Sequence, residues 1–223
     1  MLTESIPPRT ATPAPAAPDA RAQEILAAAK RAFLEKGFDG ASMQDLARAA
    51  GMSAGNFYRY FPSKAAIVEA IVSGEMAQMA GEFSAIVAGD DLLDGLRRTL
   101  AARIDDCAGS DAPLWADIEV AARRSPEIAA TLQRIEGGID CYFTDIVARA
   151  TGLGPDEAQA RFTPHATMIV LLFKATAIRL SAEPSRWQMD AGMRASLRDL
   201  ALRTIDGIIG EIRAAIPAGQ GKG

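Results

Sequence analysis

Apolar residues recur along this chain at the three- and four-residue spacing of helices, between short breaks rich in Gly, Pro and Ser, and β-branched runs are few. Ile25, Ala29 and Phe33 form the first stripe and predict a helix over 20–36, with Asp19 as its cap. Gly37 ends it, and Phe38 can fold back on Phe33 as the apolar partner of a Schellman turn. Ser42 and Asp45 make a Ser/Thr-x-x-Asp/Glu capping box that starts a helix at Met43. Gly51 supplies a left-handed residue just past Ala50, Ser53 caps the next short helix, and Pro62 closes it. Ser63 caps a third helix from Lys64, whose pattern continues through Ile67 and Ile71 toward Val87. Gly74 and Gly81 weaken that run, leaving one long helix or two stacked ones.

The second half reads the same way. Leu93, Leu96, Leu100 and Ile104 predict a helix over 92–107, and Pro113 opens a short one that bears Trp115 and ends near Arg124. Ser125-Pro126-Glu127 is a cap followed by an N1 proline, opening a long helix through Ile128, Leu132, Ile135, Ile139 and Phe143. Thr151–Pro155 is the clearest break. After it come a short segment over 156–162 and helices over about 164–182 and 190–215. The fold expected is all-α: a helix-turn-helix unit of three small helices over 20–66 and a larger helical domain over 67–216. The Pro- and Ala-rich residues 1–19 and the tail 217–223 are expected to be a disordered arm and tail.

The segment 42–64 carries the most chemistry. From Leu46 to Val68 it has no acidic residue, while Arg48, Arg59 and Lys64 are basic. At about 100° per residue, Phe57 and Phe61 lie on one side of its second helix and should face the core. Ala54, Gly55, Tyr58 and Arg59 fill the opposite arc, with Asn56 and Tyr60 on its flank. A recognition helix needs this division, one side anchored and the other presented to a groove. Gly55 lets backbone approach backbone, Arg59 can donate two parallel hydrogen bonds to guanine O6 and N7, and Tyr58 can touch a thymine methyl or a phosphate. Ser42, Ser53, Tyr60 and Lys64 sit at helix ends or flanks, where hydroxyl, ammonium and free N–H groups meet phosphates.

The run S-M-x-x-L-A-x-x-A-G-M-S-x-G-N-F-Y-R-Y-F-x-S-K, Ser42 to Lys64, resembles the DNA-binding domain of TetR-family transcriptional regulators over roughly Arg21 to Ile71. The resemblance implies base contacts from Gly55, Tyr58 and Arg59, with Ala54 on the same arc, and phosphate contacts from Ser42, Asn56, Tyr60 and Lys64. Many members carry threonine where Asn56 stands, so its role, phosphate or base edge, stays open. For the rest of the chain the resemblance implies a ligand-binding core and two final long helices that pair with their twins in a two-fold bundle. The stretches 168–173 and 197–208 suit that pairing, being apolar over more than one helical face. Leu171, Leu172, Leu197, Ala201, Thr204 and Ile208 are its candidates. Phe83, Trp115, Cys141, Phe143, His165 and Met168 are candidates for the lining of an apolar cavity, as large, soft or polar-tipped residues on inward faces.

Composition narrows the alternatives. Hydrophobic residues make up 49% of 223 residues and aromatics 6%, enough for an ample helical core. The net charge of −4 argues against a general polyanion binder, but the acids concentrate beyond residue 70, which favours a small, oriented contact patch. Cys107 and Cys141 lack metal-site spacing and read as reduced thiols. The longest apolar run, 166–173, is too short to span a membrane, and the N-terminus has no signal-peptide pattern. A cytoplasmic protein is expected, with no membrane partner. His165 is the single histidine, so His-based metal clusters and dyads are excluded. No phosphate loop or nucleophile elbow appears, and Glu119, Asp140 and Asp145 read as solvated helix faces, so neither catalysis, metal nor cofactor is expected. The reading is a homodimeric repressor that binds a pseudo-palindromic double-stranded operator and is released by a small-molecule effector. The alternatives are an activator of the same family, and a helical binding or catalytic protein whose helix-turn-helix is structural.

Overall fold

The computed structural model describes residues 20–106, 111–181 and 189–216. The proposed arm 1–19, Cys107 and the tail 217–223 lie outside the described residues. Nine helices and no strand occur among those described: α1 (Ala20–Lys36), α2 (Met43–Ala49), α3 (Ala54–Tyr60), α4 (Lys64–Val87), α5 (Leu92–Asp105), α6 (Ala112–Ala122), α7 (Pro126–Thr151), α8 (Pro155–Ser181) and α9 (Ala191–Ala214). None of them is long and apolar enough to cross a membrane.

The local signals act as their chemistry demands. Ser42 and Asp45 form a complete capping box at α2, and Ser53, Ser63, Asp91, Ser125 and Asp190 each accept a backbone N–H at the start of their helices. Gly51 takes φ +64°, and the bonds from Gly51 N to Arg48 O (3.0 Å) and Met52 N to Ala47 O (2.9 Å) close the C-terminus of α2. The chain thereby turns sharply from α2 into α3. The Phe38 ring stacks 4.8 Å from Phe33 behind α1, as the turn at Gly37 requires.

The run after Lys64, left open between one helix and two, is a single 24-residue helix, and Gly74 and Gly81 both lie on its exposed side. One expectation needs correction. The segment 156–162 and the helix expected from 164 are one helix, α8, with Pro164 inside it. Pro164 is exposed, so water can take the carbonyl its ring leaves without a donor, and Thr163 Oγ1 donates to Gln159 O (2.6 Å) alongside. His165 is therefore a mid-helix residue and not the start of a helix.

Two cores hold these helices. The first gathers Phe33, Leu46, Phe57, Phe61, Ile67 and Ile71 from α1 to α4, and includes Leu114, Ile118 and Ile128 from α6 and α7. The second joins α4, α5, α7, α8 and α9 through Ile86, Leu93, Ile104, Val147, Ile169 and Ile205. Burial on this scale, roughly 1.5–3 kcal/mol for each large side chain, makes α4 a member of both units. Its first turns belong to the small N-terminal head and its last turns to the large body.

Candidate nucleic-acid interface and cavity

The head presents α3 outward. Phe57 and Phe61 are anchored at 0% and 5% exposure, and their rings meet at 6.0 Å. Gly55, Asn56, Tyr58, Arg59 and Tyr60 are exposed, and Ala54 is half-exposed beside them. Arg59 has no hydrogen bond or ion pair among the described residues, whereas Arg48 pairs with Asp45 at 3.2 Å. A Cβ added at Gly55 would meet nothing within 4 Å, so nothing inside the protein requires glycine there.

The phosphate candidates divide. Asn56 and Tyr60 are exposed at their side chains, and Ser53 uses its oxygen to cap α3 (3.3 Å from Asn56 N) but keeps its O–H. Ser42 gives both of its donors to Asp45, N at 3.0 Å and Oγ at 2.6 Å. Lys36 bonds Asp45 at 2.6 Å, and that bond, with those from Ser42, holds the carboxyl well below the ordinary carboxylate range. Lys64 Nζ donates to Phe38 O (2.7 Å) and Asp39 O (3.0 Å) and lies 5.4 Å from the Phe38 ring centroid. Burial pulls its ammonium below the ordinary lysine value, with Asp39 opposing. Two of its three N–H groups therefore tie α4 to the α1–α2 turn, a brace that the sequence did not announce.

The same turn is tied to the body. Asp117 Oδ2 on α6 accepts Phe38 N (3.2 Å), Lys30 on α1 bonds Asp111 (2.6 Å), and Arg124 pairs with Asp39. Glu69 on α4 accepts from Thr131 Oγ1 (3.0 Å) and pairs with Arg134 on α7.

The body encloses a cavity of about 260 Å³ among α4 to α8. Phe83, Trp115 and Phe143 line it, together with Tyr142, Phe173 and side chains from each of the five helices. Cys141, His165 and Met168 do not. Cys141 is a half-buried free thiol that lies off the lining face of α7. His165 turns toward α9, where its Nε2 is 3.2 Å from Glu211 Oε2. Met168 is 50% exposed on the outer side of α8. Sequence reasoning missed Glu75, Glu82, Arg103, Glu136 and Lys174 in the lining and read Glu119, which also lines it, as a solvated face, because a charged residue in an amphipathic helix reads as solvated. Among the described residues no group of three or more His, Cys, Asp or Glu could hold a metal ion.

The outer faces of α8 and α9 carry apolar residues in water. Leu171 and Leu200 are each 56% exposed, and Met168 and Met193 accompany them. Of the pairing candidates, Leu171 and Thr204 face outward, Leu172, Leu197 and Ile208 are partly buried against their own core, and Ala201 is buried in it.

Residues 25–71 match the family described as bacterial regulatory proteins, tetR family. The HTH-type transcriptional regulator UidR of Escherichia coli (strain K12) is 29% identical over 133 residues, 60% of this chain and 61% of its own length. The match thus spans about three fifths of that relative. The HTH-type transcriptional repressor KstR2 of Rhodococcus jostii (strain RHA1) is 35% identical over 68 residues, 30% of this chain and 33% of its own length. Salmonella enterica GusR shares the fold with a TM-score of 0.66 at 22% identity, over 88% of this chain and 95% of that one. AibR, solved in complex with isovaleryl coenzyme A and operator DNA, shares it with a TM-score of 0.61 at 16% identity, over 83% and 97%. The matched segment coincides with α1 to the first turns of α4, where the capped turn and the presented face of α3 stand, so this part of the chain is similar to the tetR family of bacterial regulatory proteins.

Proposed function

We propose that this chain is a homodimeric transcriptional repressor of the cytoplasm, binding a pseudo-palindromic operator through residues 20–66 and released by a small molecule held in residues 67–216. Arg59, Tyr58 and Gly55, with Ala54, read bases. Ser53, Asn56 and Tyr60 meet phosphates, and Ser42 and Lys64 join them with the donors their internal bonds leave or release. The outer faces of α8 and α9 pair with a second copy, which brings two recognition helices to one face of the duplex. One short helix touches too few base pairs for useful selectivity, and two half-sites about 34–36 Å apart overcome this.

The observation that carries the reading is the position of α4. Lys64 at its start is bonded to the head, while Glu75, Met79, Glu82, Phe83 and Ile86 form a cavity wall. From Lys64 to Phe83 the helix spans roughly 28 Å, so each degree of tilt at the cavity moves the head by about 0.5 Å. α6 repeats the arrangement, with Trp115 in the cavity and Asp117 on the backbone of Phe38. A ligand that fills the cavity better in one tilt than in another shifts the population toward it, and the two recognition helices lose their spacing.

The test is a gel shift and footprint with purified protein on DNA flanking its own gene, across a salt series. The expected result is a protected two-fold site whose affinity falls steeply with salt. If that DNA and a genome-wide selection of bound fragments both yield only weak, sequence-independent association, the regulator reading is wrong.

A further inference from the structure

We infer that the cavity takes an amphipathic cation, a small molecule with an aromatic or alkyl body and one protonated amine or amidine. This rests on reading the cavity as the effector site and names the class of effector it selects. Two features of the lining point the same way.

The first is charge. Among the described lining residues there are four carboxylates and two cations, in two groups of one cation between two acids. Arg103 Nε donates to Glu82 Oε2 at 2.8 Å and stands 3.7 Å from Glu75 Oε2. Lys174 bonds Glu119 at 2.6 Å and stands 3.9 Å from Glu136. In each group one acid holds the cation closely and the other only at the limit of an ion pair. Glu75, with its side chain 24% exposed, is the more enclosed of these two outlying acids. A charge left short of a partner beside apolar walls is costly, and a ligand cation relieves it. Arg123 stands in the shallow groove beyond the rim and does not line the cavity.

The second is aromatic density. In a chain with eight Phe, two Trp and three Tyr, five of these rings, Phe83, Trp115, Tyr142, Phe143 and Phe173, line this one cavity. Ring faces attract cations as well as apolar bodies. The volume of about 260 Å³ falls just below the usual range of small-molecule sites, about 300–1,000 Å³, so the ligand is compact. A carboxylate or phosphate ligand of the same size would meet two outlying acids.

Three probes with one body decide it: 4-phenylbutylamine, 4-phenylbutanol and 4-phenylbutyrate, titrated calorimetrically into the full chain at pH 7 without DNA. The amine should bind tightest, about tenfold over the alcohol and further over the carboxylate. Glu75→Gln should lower the amine's affinity about tenfold and change the alcohol's by less than about twofold. Glu136→Gln, at an exposed rim position, should act in the same direction and keeps the test usable should the Glu75 variant fold poorly. Carboxylate binding as tight as the amine's, no binding by any probe, or equal losses for all three in the variants would overturn the inference. Gel shifts with the same probes separate the two readings. An amine that binds with this preference but leaves operator complexes intact supports the cation site and sinks its effector role. A carboxylate that binds tightest and releases DNA does the reverse.

Discussion

Arg59 holds a full charge at the tip of a rigid presentation, with Phe57 and Phe61 fixing the helix beneath it and no ion pair among the described residues drawing the guanidinium aside. Arg59→Ala should cost about 1–3 kcal/mol of operator affinity and relax the preference at one base pair of each half-site. Competition binding against single-base operator variants measures it, and an unchanged base preference removes Arg59 from direct readout. Lys64 differs, because its ammonium already serves two backbone carbonyls. Lys64→Ala should lower the melting temperature and weaken binding to all sequences alike, seen by thermal melting beside a salt series. A sequence-selective loss would contradict this. The outward and inward sides of α3 were legible in the sequence, since a seven-residue helix with two aromatics four apart leaves one arc for the core. The brace at Lys64 was not, because its partners Phe38 and Asp39 lie 26 and 25 residues away and offer only backbone.

Six of the nine described helices begin at a hydroxyl or carboxylate cap, and the cap of α5 also pairs with a distant helix. Asp91 caps α5 through Asp94 N (2.9 Å) and receives Arg213 of α9 at 2.9 and 3.2 Å. Arg213 above all, then the backbone bond, holds its carboxyl below the ordinary 3.8. A carboxyl depressed by folding stabilises the native state above its unfolded value, and that contribution fades as pH falls through the folded value. Asp91→Asn should therefore be less stable than the parent at pH 7, with the difference shrinking as pH falls below about 3.8. Urea unfolding at several pH values checks it, and a gap that persists in acid would assign the loss to something other than this charge. Capping boxes and N1 prolines were readable because they are local and few residues satisfy them. Pro164 misled because a proline in a helix is decided by which side faces water, and that depends on the packing of α8 rather than on its sequence.

Across the whole molecule, what the sequence hid was what depends on the arrangement of separate helices. Met168 and Trp115 read alike as large inward residues, yet one stands outside α8 and the other lines the cavity. The exposed leucines of α8 and α9 make a prediction at this scale. Leu171→Glu should convert a dimer to a monomer and abolish operator footprinting while the fold persists, as sedimentation and circular dichroism would report. A variant that stays dimeric moves the interface elsewhere. Gly74 and Gly81 lie seven residues apart on the exposed side of α4, and a Cβ at either would meet nothing within 4 Å. Alanine there should add roughly 1 kcal/mol of helix stability each, which melting curves would register. The helix is thus softer than its packing requires, at the head-side edge of the cavity-wall stretch (Gly74) and within that stretch (Gly81). In a circuit, that softness sets a signal-to-leak ratio. On the proposed function, a stiffer rod would relay a smaller ligand displacement and switch harder, while a softer one absorbs the displacement along its length, so the dose–response of a regulated promoter should be tunable at two surface glycines outside the proposed DNA contacts and the cavity lining.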